Sequence, residues 1–297
     1  MKSSSPVIHT HTATELGMRV NIHLVETRRG VVVIDGGVAL SSSRAVLTLI
    51  EQEIKKPLLA VLLTHGHPDH YMGVAEIIGD RAVDFFALKE SIDQARARDA
   101  TEAEGMRQAF GNNFPQRRIF PNRVVRHVDK LVFDGVTFQI HDYGGCESDC
   151  DGVWFIEDQD TQIVFCGDLI YNQMHLFMKD GHPLEWLRGL DRLRRDFRAN
   201  ARFYPAHGAN CGREGIYWTQ AYIQMYLGML GDLLQGGDSL PPVRQQQLLA
   251  ALKSYLPSEH LFELAQFKLD ETIRALSPVA NTTAKLDKEI KTWRKFS

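Results

Sequence analysis

The sequence predicts a mixed α/β chain. Three observations carry that reading. Short apolar runs of strand length recur through the first two thirds, the clearest being Leu58-Leu59-Ala60-Val61-Leu62-Leu63. They alternate with helix-patterned stretches in the order strand, strand, helix, strand, loop, helix. From about Glu214 onward the pattern is helical, with a break at Gly236 to Pro242.

Taken in order, residues 18–27 read as a strand and 31–34 as its partner, with Arg28-Arg29-Gly30 as the turn. Asp35-Gly36-Gly37 follows as a tight turn, where glycine tolerates unusual dihedrals and Asp35 suits a structural role. Ser41 to Ser43 offer caps for a helix reaching Lys55, with Ala45, Val46, Leu49, Ile50 and Ile54 on its apolar face and Pro57 ending it. The strand to Leu63 comes next, then a histidine-rich loop, then a helix over 73–78. A strand over 83–88 precedes a charged helical stretch, 89 to about 110, and a loop with Pro115 and Pro121. The whole insertion, 89–121, reads either as a solvated helix or as a lid near the site. Strands over 130–133 and 136–141 flank Asp134-Gly135, a strong hairpin signal. A second hairpin joins 153–157 to 162–166. A basic helix over 184–198 and a short strand over 202–204 complete this part, giving a catalytic unit over 1–212. The last part, 213–297, reads as a helical extension. Trp218, Tyr222, Met225, Tyr226 and Met229 recur there at helical spacing and belong to its core. Helices over 243–255 and 258–276 lead to a basic tail.

Composition narrows the class. The chain has 297 residues, 44% of them apolar, enough for a sizeable core. A net charge of -3 argues against a dedicated nucleic-acid binder, which needs a basic footprint. No segment approaches the about 18 apolar residues of a membrane span. Met1 to Pro6 has a serine run and no apolar h-region, so no signal peptide is expected. Cys146, Cys150, Cys166 and Cys211 do not form a disulfide framework for so long a chain, and a cytoplasmic setting is expected. The expected partner is a small-molecule substrate, with no nucleic acid and no membrane; a homodimer is left open.

The chemistry centres on His65-Gly66-His67-Pro68-Asp69-His70, which places four candidate metal ligands in six residues directly after a buried strand. Imidazole and carboxylate both suit zinc. A catalytic zinc needs about three protein ligands and an open position, so further ligands must come from elsewhere. Asp168 and His207 each stand at the end of a predicted strand.

Thr64 to His70 with Gly73, Cys166-Gly167-Asp168, Ala206-His207-Gly208, and Asn21 followed by Ile34-Asp35-Gly36-Gly37 together resemble the motifs of the metallo-β-lactamase-fold hydrolases, over about residues 18–210. The resemblance implies an αββα sandwich with two metals at one edge. It places His65 and His67 on the first metal, Asp69, His70 and His207 on the second, and Asp168 between them. The family's third ligand to the first metal is usually a histidine. Here that stretch is Tyr143-Gly144-Gly145-Cys146-Glu147-Ser148-Asp149, without one. Glu147 is the first choice to replace it, Cys146 the second and a vacant first site the third. A carboxylate would harden the site and bring manganese and iron in as candidates beside the expected zinc, two ions per chain.

The resemblance implies a binuclear zinc hydrolase acting through metal-bound hydroxide on an ester, thioester or lactone of a small molecule, with Asp69 as catalytic residue as well as ligand. β-Lactams, phosphodiesters and sulfate esters are also within the family's range. The helical last third resembles, in arrangement only, the substrate domain of glyoxalase II enzymes. An iron-dependent oxidoreductase is the alternative, weakened because the diiron branch commonly carries glutamate where this chain has His67. A non-catalytic metal-binding protein is the third reading. Tyr171, Asn172 and His175 follow Asp168 and are read mainly as packing.

Overall fold

The computed structural model describes residues 5–180 and 182–293, with side chains described through residue 285. Most of the serine-rich start at Met1 to Pro6 and the end of the basic tail lie outside the described residues.

Two β-sheets pack face to face. The first has six strands: β1 (Val7–Thr12), β2 (Asn21–Glu26), β3 (Val31–Ile34), β4 (Leu58–Leu62), β5 (Asp84–Leu88) and β6 (Arg123–Val125), lying side by side in chain order. The first three are antiparallel neighbours, and β3 to β6 run parallel. The second sheet holds β7 (Lys130–Phe133), β8 (Val136–Asp142), β9 (Gly152–Glu157), β10 (Gln162–Asn172) and β11 (Arg202–Gly208), in the order β11-β10-β9-β8-β7. Only β10 and β11 pair in parallel here.

Alternation along the strands decides what each sheet buries. Val32, Ile34, Ala60 and Leu62 from the first sheet meet Phe138, Ile140, Trp154, Ile156 and Phe165 from the second. The opposite faces carry helices. On the first sheet, Val31, Val33, Val61 and Leu63 pack with residues of α1 (Leu40–Thr48), α2 (Pro68–Tyr71), α3 (Val74–Ile78) and α4 (Lys89–Phe110). On the second, Val153 and Val164 pack with Trp186, Leu190 and Leu193 of α5 (Pro183–Asp196) and with Tyr222 and Ile223 of α6 (Arg213–Leu234). The result is an αββα sandwich. The extension continues through α7 (Pro242–Tyr255), α8 (Phe262–Gln266) and α9 (Leu269–Trp293). Gly231 of α6 lets α9 approach closely, since a Cβ there would stand 2.3 Å from the Ala280 carbonyl oxygen.

The structure corrects several expected boundaries. The α1 helix passes at Leu49 into a π-type turn that ends at Ile54. The last helix does not stop near Leu276 but runs through Pro278 to Trp293. Proline removes the N–H that would bond the Arg274 carbonyl, and the Ser277 hydroxyl donates to that carbonyl instead, at 3.0 Å. Strands β1 and β6 were not expected, and β10 extends six residues beyond Cys166, to Asn172.

The two sheets are stitched at one edge. Trp154 Nε1 donates to the Leu63 carbonyl at 2.9 Å, and the Gly152 amide donates to the Thr64 carbonyl at 2.9 Å. Asn21 Nδ2 donates to the carbonyls of Pro205 and Gly208 at 2.9 and 2.7 Å. These bonds tie the end of β4 to β9 and the start of β2 to β11. Among the described residues no helix is long and apolar enough to cross a membrane. All four cysteines are free thiols.

Candidate metal centre

Four segments converge at that edge. The loop after β4 and the short α2 that follows it deliver His65, His67, Asp69 and His70; the loop between β8 and β9 delivers Glu147; β10 delivers Asp168; β11 delivers His207. Gly167 lets β10 bend there: its φ is +52°, in the left-handed region, and a Cβ would press within 2.9 Å of Thr64. Register along β10 shifts on both sides of this glycine.

The seven side chains fall into two groups of ligand atoms, His65, His67, Glu147 and Asp168 in one, and Asp69, His70 and His207 in the other; within each, the atoms lie within 4.8 Å of one another. In the first, Glu147 Oε2 stands 3.3 Å from His67 Nδ1 and 3.6 Å from His65 Nε2. In the second, Asp69 Oδ2 is 3.2 Å from His207 Nε2, and Asp69 Oδ1 is 3.6 Å from His70 Nε2. Asp168 also reaches the second group, with Oδ1 3.5 Å from His70 Nε2 and Oδ2 3.4 Å from His207 Nε2. It therefore faces both. Asp69, at 8% exposure, is the most exposed of the seven. Cys146 is turned away: its Sγ lies against the carbonyls of Tyr143 and Glu185.

Asp35 organises the imidazoles from behind. Its carboxylate accepts from the Thr64 amide, the Thr64 hydroxyl and His70 Nδ1, at 2.8, 2.8 and 3.0 Å. With its own hydrogen committed to Asp35, the Thr64 hydroxyl accepts from His65 Nδ1 at 3.1 Å. Both His65 and His70 thus carry their protons on Nδ1 and turn Nε2 lone pairs inward. The expected structural role of Asp35 is this one, and it extends to both groups. Tyr171 donates to Asp168 Oδ2 at 2.6 Å and lies 3.3 Å from Glu147 Oε1. Asn172 bonds the Ala209 carbonyl, and His175 bonds Tyr222 and the Ser258 carbonyl, so neither faces the cluster.

Crowding sets the proton affinities. Burial pushes Glu147 up to about 8 against the pull of His67. Burial drives His65 well below the ordinary imidazole value, with His70 and His67 adding to it. Burial also opposes charge on His67 and His70, but carboxylates outweigh it, Glu147 for the former and Asp69 and Asp168 for the latter, and both end well above their ordinary value. Asp168 stays well below the usual carboxylate range despite burial, because His207 and His70 stand beside it. Such an array favours positive charge between its members, whether carried by protons or by divalent ions.

The residues fit a divalent metal. His70 Nε2, Glu147 Oε2 and Asp168 Oδ1 are buried without a hydrogen-bond partner among the described residues, and each belongs to one of the two groups. Buried polar atoms are rarely left so. Two imidazoles and carboxylates per group match the donors that zinc, manganese and iron accept.

Sequence reasoning underrated Tyr171 and passed over Thr64's relay and Asp180, whose Oδ2 lies 3.6 Å from His67 Nε2. Tyr171 carried one usable signal, its place three residues beyond Asp168 in an apolar stretch. Asp180 carried none, being an ordinary loop aspartate in sequence.

The model of the metallo-beta-lactamase superfamily matches residues 17–207. A hydroxyacylglutathione hydrolase of Albidiferax ferrireducens is 29% identical over 175 residues, which are 58% of this chain and 56% of that protein. A linear primary-alkylsulfatase of a Pseudomonas species is 24% identical over 169 residues, 47% of this chain and 25% of that protein. The chain thus spans about half the length of the first and a quarter of the second. Among solved structures, a metallo-beta-lactamase from Pontibacter korlensis superposes with a TM-score of 0.59 at 21% identity, covering 75% of this chain and 97% of that one. One from Hirschia baltica gives 0.53 at 20% identity, covering 73% and 91%. These two likenesses speak to the fold.

Proposed function

Because the chain belongs to the metallo-beta-lactamase superfamily, we propose that it is a hydrolase that holds two divalent metal ions and cleaves an ester, thioester or lactone of a small molecule. The observation that carries this reading is the meeting of seven buried donors in two groups, with Asp168 facing both. His65, His67 and Glu147 would hold the first ion, Asp69, His70 and His207 the second, and Asp168 would be shared. Bound ions of this kind act as Lewis acids and lower the pKa of water to about 7.

The chain's own residues divide the remaining work. Asp35 and Thr64 hold the lone pairs of His65 and His70 inward. Tyr171 holds Asp168. Asp69 is the carboxylate most open to substrate and solvent, and in this reading it orients the attacking water and takes its proton at a carboxylate oxygen. Glu147 supplies a hard donor where relatives of the family use imidazole, which supports manganese or iron beside zinc as candidates. The likeness to a hydroxyacylglutathione hydrolase supports a thioester or ester substrate. The alkylsulfatase match supports sulfate esters as a second reading.

The test is a substrate panel of thioesters, lactones, aryl esters and alkyl sulfates, run with and without a chelator. Chelator-sensitive hydrolysis of a carbonyl substrate is expected, abolished in Asp69→Ala and less fully lost in Glu147→Ala. Turnover of alkyl sulfates alone would replace the first reading by the second. An iron-coloured protein that consumes oxygen and hydrolyses nothing would overturn both.

A further inference from the structure

His67 differs from the other two imidazoles of its loop. Asp35 and Thr64 account for His65 and His70, but His67 points Nδ1 into the first group and Nε2 outward. That Nε2 is buried and has no hydrogen-bond partner among the described residues. It faces Asp180 Oδ2 at 3.6 Å. This is an ion-pair distance, and a shift of roughly half an ångström would make it a hydrogen bond.

Asp180 is itself held. Arg98 Nη1 donates to its Oδ2 at 2.5 Å, and Lys179 Nζ to its Oδ1 at 2.7 Å. The other arm of the Arg98 guanidinium donates from Nη2 to Asp149 Oδ2 at 2.8 Å, two residues beyond Glu147. One planar fork therefore ties the loop that bears Asp180 to the loop that bears Glu147. Arg98 lies on α4, and α4 also backs the histidine loop. A Cβ on Gly66 would stand 2.7 Å from the Ser91 carbonyl oxygen and 3.0 Å from the Ala95 amide nitrogen. Helix α4 thus touches each segment that bears His65, His67 or Glu147.

We propose that Asp180 and Arg98 are positioning residues for the first ion: Asp180 keeps His67 in the tautomer that presents Nδ1, and Arg98 fixes Asp180 and the Glu147 loop to α4. The insertion then acts as a strut for one half of the centre. The inference rests on the two-ion reading above. Outer carboxylates of this kind change metal affinity by about 10–100-fold.

The experiment is a zinc titration of the metal-free full chain against a chromophoric chelator, repeated with cobalt to follow its visible absorption. The first-group ion is identified as the one that His67→Ala abolishes. In Asp180→Asn that ion should bind about 10–100-fold more weakly, while the other ion keeps its wild-type affinity and the metal-free melting temperature stays close to the wild type's. Asp180→Glu should recover part of the loss, and Arg98→Met should weaken the same ion. Unchanged affinity in both Asp180→Asn and Arg98→Met overturns the proposal. So does equal weakening of both ions together with a lower metal-free melting temperature, which marks a merely structural role. Should Asp180→Asn fail to fold, Arg98→Lys decides: it keeps the charge and loses the fork, so the first-group ion must weaken. A wild-type chain holding no ion that His67→Ala removes would sink the two-ion reading itself, an outcome separate from a wild type that binds two ions and an Asp180→Asn variant that matches it.

Discussion

Tyr171 and Asp168 are joined by a hydrogen bond of 2.6 Å from phenol to carboxylate, buried in the floor of the cluster. The Tyr171 ring also stacks on His207, with centroids 5.0 Å apart and planes 17° from parallel. One side chain thus sets the direction of the shared carboxylate and the plane of a neighbouring imidazole.

Tyr171→Phe keeps the ring and removes the donor to Asp168. A hydrogen bond to a charged acceptor is worth about 1.5–3 kcal/mol, and the cost is borne by the carboxylate left without it. Urea unfolding of the metal-free variant should show a loss of that size. An unchanged midpoint would mean that Asp168 does not depend on this bond.

Asn21→Ala should destabilise by about 2–3 kcal/mol, since it removes two buried donors, to the carbonyls of Pro205 and Gly208, at roughly 1 kcal/mol or more each. Pro205 and Gly208 flank His207, so the variant should also loosen β11 locally. Faster amide hydrogen exchange around residues 206–208 is the expected signature. Exchange at wild-type rates there, with stability intact, would remove Asn21 from the account.

The pH dependence of the metal-free chain is set by its raised groups; His67 and His70, held up against burial by the neighbouring carboxylates, act in the same direction as the two described next. Burial disfavours charge on His207, but Asp168 and Asp69 hold it up at about 9, above its ordinary 6.5. Its contribution to stability is full below pH 6.5 and is lost as pH rises through 9. Glu147, raised by burial from 4.5 to about 8, works in the same direction, losing its contribution across that interval. Asp168 and Asp69, both lowered, contribute stability that is lost only on acidification, below this window. Melting temperature in chelator should therefore fall between pH 6.5 and 9. With excess divalent metal the slope should reverse, because ligands must shed protons to bind. Parallel slopes with and without metal would contradict this.

Gly66→Ala should be among the costlier single changes, by about 3 kcal/mol or more, because the added methyl meets the α4 backbone at Ser91 and Ala95, which cannot yield as the Gln94 side chain beside them can. Thermal unfolding of the metal-free variant checks this, and a melting temperature equal to wild type would show that the loop and helix separate freely.

The fold was legible wherever the local pattern was strong. The apolar β4 run, the Asp134-Gly135 hairpin and the Lys89–Phe110 helix stand within a residue of their expected bounds. Edge elements were not legible. Strand β1 reads Val-Ile-His-Thr-His-Thr and is half exposed, so pairing with β2 makes it a strand and its own pattern does not. Pro278 reads as a helix stop, and only the tertiary setting, with Ser277 serving the orphaned carbonyl, carries the helix past it. At the site, four donors sit in one short motif and announce themselves. Glu147 stands out only against a family expectation of histidine. Arg98, on α4, and Asp180, in a loop, stand 82 residues apart in the chain, and neither has a local pattern that marks it.

The most direct test of the central claim is anomalous scattering from crystals of the purified chain, measured at the zinc, iron and manganese edges. Two peaks are expected, one among His65, His67 and Glu147 and the other among Asp69, His70 and His207, with Asp168 between them. A single peak with Glu147 turned away, or none, would contradict it.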